Sequence, residues 1–205
     1  MSHGVVPDRA ARLTRGGLAP IGRGLAAIGV SANLITALGV ALTLIGSALL
    51  AQETSLAALI VLSAGSVADT LDGVVARAAG GGTRLGAFLD STADRIADAA
   101  IFAAAAHVGA SRADAVLFWA SLAALSASFL VSYVRAKAES LGVSATVGPA
   151  PREARLVILL LGIAAWALLG LFVAFTTAVA TVAILATITL LQRVSVVARA
   201  LGANR

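Results

Sequence analysis

The chain has 205 residues, of which 60% are hydrophobic and only 12% charged, with a mean hydropathy of +0.98. A soluble domain carries about a quarter charged residues, so this composition excludes one and makes lipid the solvent. The net charge of +5 and pI of about 11.2 would serve nucleic acid only on a soluble basic domain, which the pattern lacks, and the absence of Cys excludes disulfides, thiolate metal sites and a Cys nucleophile.

Residues 1–32 form a first segment. Arg9, Arg12, Arg15 and Arg23 are spread through it without a continuous apolar run, so no secretory leader is expected. Leu18, Ile21, Leu25 and Ile28 recur at helical spacing opposite the arginines. That is the pattern of an amphipathic helix lying on the membrane surface, with a solvated tail as the alternative.

Residues 33–205 read as one all-α transmembrane domain of six helices, without an internal repeat. Asn33 to Ala51 is free of charge, and Asn33 is read as its cap in preference to a substrate contact. Leu56 to Arg77 is apolar at first and then carries Asp69 and Asp72. Leu85 to Val108 opens with Asp90, Asp94 and Asp98 and ends Ala-rich. Ala115 to Val134 is again free of charge. Leu156 to Leu191 has no charge at all over 36 residues. A single helix that long would span about 54 Å against about 30 Å of hydrocarbon, so two spans turning near Gly170 to Thr177 are expected. Six spans put both termini on one side, and of the 15 Lys and Arg residues only Arg112 falls opposite. The positive-inside rule places that basic side in the cytoplasm.

Five of the ten acidic residues lie between Asp69 and Asp98, near the cytoplasmic ends of the second and third spans. An ionised Asp at the centre of a membrane helix costs about 2.5–3.5 kcal/mol, less near the interface, so four together need compensation. Asp69 and Asp72 share a helix face, continued by Gly73 and Ala76. Gly86, Asp90 and Asp94 form a stripe on the next helix. The intervening loop holds Gly80, Gly81 and Gly82 and is short, so the two helices are expected as antiparallel neighbours with opposed acidic faces. Carboxylates so placed stay ionised only beside cations. Two divalent ions match four charges, and oxygen-only donors favour Mg²⁺, Mn²⁺ or Ca²⁺ over zinc. Gly73, Ala76 and Gly86 suit helix packing taken alone. Beside the aspartates they also leave room for a bulky ligand.

Written out, the stretch is Asp69-x-x-Asp72-Gly73-x-x-Ala76-Arg77, eight residues, then Gly86-x-x-x-Asp90-x-x-x-Asp94. It resembles the signature of the CDP-alcohol phosphotransferase family at every fixed position, and the six-span layout with its N-terminal amphipathic helix is similar to that family too. Ser31-Ala32-Asn33-Leu34-Ile35-Thr36 resembles the motif leading into the family's first membrane helix, which often has Pro where Ala32 stands. The resemblance implies that Asp69, Asp72, Asp90 and Asp94 bind two divalent cations, Mg²⁺ or Mn²⁺, which clamp the pyrophosphate of a CDP-lipid, CDP-diacylglycerol. It makes Asp94 the general base for the acceptor hydroxyl as well. Gly73, Ala76, Arg77, Thr83 and Gly86 take the CDP-lipid-binding positions. Asp98, one turn beyond Asp94 and outside the motif, is expected as a structural partner of Arg95 or of another helix.

Ser132-Tyr133-Val134-Arg135-Ala136-Lys137-Ala138-Glu139 is similar to the branch of the family that makes phosphatidylinositol phosphate. There the resemblance implies an inositol 1-phosphate acceptor whose phosphate is held by basic residues, here Arg135, Arg152, Arg155 and Arg193. Each of these alone reads as a headgroup anchor, whereas arginines gathered beside a metal site suit a phosphate. Relatives often read Glu-Arg-x-Glu-Arg-Leu where this chain has Pro151-Arg152-Glu153-Ala154-Arg155-Leu156, so glycerol 3-phosphate is the alternative acceptor. A cation transporter is the alternative class, since intramembrane acids suit ion transfer. It would place acids at mid-bilayer and show a repeat. A homodimer in the cytoplasmic membrane, with the active site facing the cytoplasm, completes the expectation. His3 and His107 are not expected to act in catalysis, and Trp119 and Trp166 are read as lipid-facing or packing residues.

Overall fold

Apolar runs interrupted by glycine and polar caps give helices, and no strand occurs among the described residues. The computed structural model describes residues 19–149 and 151–202. A helical segment over 19–27, α1, precedes α2 (Ala32–Ala51), α3 (Ser55–Ala78), α4 (Arg84–Ser111), α5 (Ala115–Ser140), α6 (Arg152–Leu169) and α7 (Phe172–Gly202). Leu18 and the arginines before it lie outside the described residues; Ile21 and Leu25 fall on α1 and Ile28 in the turn after it. Four helices, α2, α3, α5 and α7, are long and apolar enough to cross a membrane by length and composition. Of the other long helices, α4 carries the aspartates in its first half and α6 opens with Arg152, Glu153 and Arg155.

Helix ends follow local chemistry. Ser31 caps α2, its hydroxyl accepting from the Leu34 N–H at 3.2 Å. This corrects the expectation for Asn33, which stands two residues after the cap and lies in the first turn. The turn between the last two helices falls at Gly170 and Leu171, at the start of the expected interval. α5 continues past Val134 to Ser140, and α7 continues past Arg193 to Gly202. Ala, Leu, Arg, Lys and Glu in the extensions favour helix, and neither extension has a breaker before its glycine.

The chain divides into two compact units, with the break inside α4 between Ala104 and Ala105. In the first, α2 packs along α3 through small residues. A Cβ at Gly39 would lie 3.4 Å from Ala68 Cβ, and one at Gly65 only 2.8 Å from Thr43 Oγ1. Thr43 in turn donates to Gly39 O at 2.9 Å, which keeps its hydroxyl satisfied inside the pair. Lipid supplies no hydrophobic drive between helices, so such close backbone approach and van der Waals contact hold them. Ile35, Ala68 and Val75 are buried in this pair, with Leu25, Ala26 and Val30 of the α1 region packed over them.

In the second unit α5 and α6 both pack on α7. Asp114 caps α5 by accepting from Leu117 N at 2.9 Å, and its other oxygen accepts from Thr176 Oγ1 at 2.8 Å. Trp166 stacks on Phe175, and the Arg112 guanidinium sits 4.3 Å from the Phe172 ring centre and 5.1 Å from that of Trp166. Trp166 is therefore a packing residue, while Trp119 is exposed on the surface of α5.

Candidate functional site

The carboxylates converge because one turn and one helix start are fixed locally. Gly80 and Gly81 adopt φ of +96° and +115°, which a side chain would strain, and they turn the chain back after α3. Thr83 then accepts from Gly86 N at 2.9 Å and starts α4. The carboxylate oxygens of Asp69 and Asp72 on α3 and Asp90 on α4 lie within 4.8 Å of one another. Asp72 is buried, Asp69 half-buried and Asp90 exposed. Asp94 stands one turn further along α4, outside this group of three, and its Oδ2 accepts from Arg95 Nη2 at 3.2 Å.

Three carboxylates this close repel each other, and all of their donors are oxygen. That donor set fits a hard divalent cation and offers nothing to a soft one.

Thr36, on α2, was not singled out for chemistry by the sequence. Its hydroxyl lies 2.6 Å from Asp72 Oδ2 and 3.1 Å from Ala32 O. One proton serves only one acceptor, and the short contact to an ionised oxygen takes it. Thr36 thus restrains the rotation of the Asp72 carboxylate. Thr36→Val is expected to weaken Mn²⁺ binding, measured by titration in detergent, by about 10- to 100-fold, the usual effect of losing an outer-shell hydrogen bond. Unchanged affinity would mean that packing alone orients Asp72.

The positions proposed for a CDP-lipid lie on the same two helices. Arg77 folds back along α3, its Nη1 only 3.3 Å from where a Cβ on Gly73 would stand. Ala76 is half-buried beside it. A Cβ on Gly86 would come 3.1 Å from Thr83 Oγ1 and 3.3 Å from Asn33 Oδ1, so a larger residue would close that corner.

The second unit gathers arginines. Arg155, in the first turn of α6, is 6% exposed and its Nη1 donates to Ser128 Oγ on α5 at 2.6 Å. Arg193 of α7 donates through Nε to Val147 O and through Nη1 to Val131 O, both at 3.0 Å. Arg135 is more exposed and its Nε donates to Glu139 at 2.9 Å. The charges of Arg135 and Arg155 both act on Arg193. Arg152 is half-buried at the start of α6. Guanidinium groups near one another are suited to hold an anion.

A family model for CDP-alcohol phosphatidyltransferases matches residues 29–200, nearly the whole chain. The chain belongs to the CDP-alcohol phosphatidyltransferase family. As a member it is a multi-pass membrane enzyme, a transferase of phospholipid biosynthesis. It is 37% identical over 175 residues to archaetidylinositol phosphate synthase of Pyrococcus horikoshii, covering 85% of this chain and 87% of the relative. A crystal structure of Mycobacterium tuberculosis phosphatidylinositol phosphate synthase with CDP-DAG bound superposes with a TM-score of 0.80 at 33% identity, covering 88% of this chain and 92% of that one. A second structure of that synthase, in complex with manganese and citrate, gives a TM-score of 0.77 at 34% identity, with 87% and 88% covered.

Proposed function

We propose that this phosphatidyltransferase moves the phosphatidyl group of CDP-diacylglycerol onto inositol 1-phosphate, giving phosphatidylinositol phosphate and releasing CMP. The observation that carries the reading is the convergence of Asp69, Asp72 and Asp90 from two helices of the family motif. The archaetidylinositol phosphate and phosphatidylinositol phosphate synthases among its relatives and the gathered arginines support the acceptor.

Asp69, Asp72, Asp90 and Asp94 would hold the divalent cations, two Mg²⁺ or Mn²⁺. Bound there, the ions neutralise the pyrophosphate and stabilise charge on the leaving CMP. Asp94 accepts the proton of the acceptor hydroxyl. The hydroxyl oxygen then forms a bond to the β-phosphorus as the bond from that phosphorus to the CMP oxygen breaks. Gly73, Ala76 and Gly86 leave space for the nucleotide, and Arg77 and Thr83 contact the CDP group. Arg135, Arg152, Arg155 and Arg193 bind the acceptor's own phosphate and so select a phosphorylated polyol. In this reading all six long helices of the 33–205 catalytic domain cross the cytoplasmic membrane, the chemistry faces the cytoplasm, residues 1–32 include an interfacial helix, and the chain forms a homodimer.

The test is CMP release by purified protein with CDP-diacylglycerol, Mg²⁺ and a panel of inositol 1-phosphate, glycerol 3-phosphate, inositol and serine. Turnover is expected with inositol 1-phosphate at least about tenfold above every other acceptor, the weight of one charged hydrogen-bond set. Preference for glycerol 3-phosphate would replace the acceptor and leave the reaction class. No CMP with any of the four would overturn the acceptor reading altogether.

A further inference from the structure

We propose that Ser128 is a positioning residue for the acceptor's phosphate, acting through Arg155; the proposal rests on the acceptor reading given above. Ser128 lies on α5, two turns before Arg135, and is 1% exposed. It belongs to no motif of the sequence. Its hydroxyl accepts from Arg155 Nη1 at 2.6 Å, a short bond for a neutral acceptor facing a charged donor.

The geometry gives that bond a consequence. A guanidinium is a rigid plane whose five N–H groups point in fixed directions, so tying one terminal nitrogen sets the direction of the others. Arg155 is buried, and a long side chain there has no solvent to swing through. Ser128 chooses which of its rotamers is held. The neighbouring arginine is tied in the same way and to the same stretch of helix, since Arg193 donates to the carbonyl of Val131, three residues on. Ser132 Oγ donates to the Ser128 carbonyl at 3.1 Å, so this part of α5 is itself pinned by its own side chains. Residues 128–131 of α5 therefore hold two cations brought by α6 and α7, while Arg135 on the next turn is held by Glu139. Like charges that repel one another would otherwise splay apart. Fixing them beforehand lowers the cost of ordering them around a dianionic phosphate.

A merely structural role, satisfying a buried guanidinium, would lower stability without favouring one substrate. The experiment separates the two in the full chain purified in detergent. Steady-state KM values for inositol 1-phosphate and for CDP-diacylglycerol are measured for Ser128→Ala, Ser128→Thr, Arg155→Met and the Ser128→Ala/Arg155→Met pair, with melting temperatures alongside. Ser128→Ala is expected to raise the KM for inositol 1-phosphate by about tenfold. Its kcat and its KM for CDP-diacylglycerol should stay within about twofold, an effect too small for a lost hydrogen bond. Ser128→Thr, which keeps the hydroxyl, should restore the acceptor KM. In the Arg155→Met background Ser128→Ala should change it no further, because the residue acts only through that guanidinium. An unchanged acceptor KM in Ser128→Ala, equal shifts for both substrates, or additive effects in the pair would overturn the proposal. Should Arg155→Met itself leave the acceptor KM unchanged, the acceptor reading fails and takes the proposal with it. Should Arg155→Met raise it while Ser128→Ala does not, only the proposal fails.

Discussion

Asp72→Asn is expected to abolish CMP release from CDP-diacylglycerol, by about 10³-fold or more, while leaving the protein folded. The loss follows from what the carboxylates are placed to do. Asp72 is the buried member of the group of three, and its charge is the one least screened by water. Replacing it with an amide removes a full negative charge from the set that would hold two divalent ions, and a metal stabilising a phosphoryl-transfer transition state supplies several kcal/mol. The hydrogen bond from Thr36 survives, because the amide oxygen can still accept it. Folding should not suffer either. Two carboxylates 4.8 Å apart repel by about 3–4 kcal/mol at an effective dielectric constant of 20, and less where water reaches Asp90. Without metal, the variant should therefore melt at or above the temperature of the unsubstituted protein. With Mg²⁺ present, the unsubstituted protein should gain a larger increment than the variant, because an ion that binds only the folded state stabilises it by mass action. Full activity in Asp72→Asn would remove the metal-centre reading, and a lower metal-free melting temperature would mark Asp72 as a structural residue instead.

Arg155→Met is expected to raise the KM for inositol 1-phosphate by about 10- to 100-fold and to leave the KM for CDP-diacylglycerol unchanged. A charge-assisted hydrogen bond to phosphate contributes about 1.5–3 kcal/mol, and each 1.4 kcal/mol is tenfold in affinity. Met keeps the unbranched stem that fills the buried space, so packing is largely preserved. Removing a charge from a site 6% exposed also ends its desolvation penalty, which offsets the loss of the bond to Ser128. Arg135→Met is expected to act more weakly, since that side chain is about half exposed and already engaged with Glu139. Equal effects on both substrates would place Arg155 outside the acceptor site.

The two expectations draw on different levels of the structure. The aspartates were legible from spacing, because intervals of three and four residues fix a helix face whatever surrounds it. The short glycine-rich loop between Ala79 and Thr83 returns the chain so that carboxylates of the two helices meet. The partners of the key side chains were not legible. Thr36 reaches Asp72 across 36 residues and Arg155 reaches Ser128 across 27, and no local rule pairs residues so far apart. Asn33 misled because Asn and Ser are both good caps and stand two residues apart. The geometry of the first turn chose Ser31. The helices run on beyond the apolar spans, past Val134 and Leu191, for a related reason. A charge marks the likeliest limit of the hydrocarbon, but the hydrogen-bonded helix ends only at a breaker or a cap.

By itself the sequence determined the solvent, the all-helical class, the acidic motif and the family to which that motif leads. These depend on composition and on short intervals along one chain, where covalent geometry does the arranging. Only the tertiary structure decided which three aspartates meet, which hydroxyl turns Asp72, and that Arg193 spends two of its N–H groups on backbone carbonyls. Those outcomes depend on how closely small residues let separate helices approach, and that distance is a property of the packed bundle.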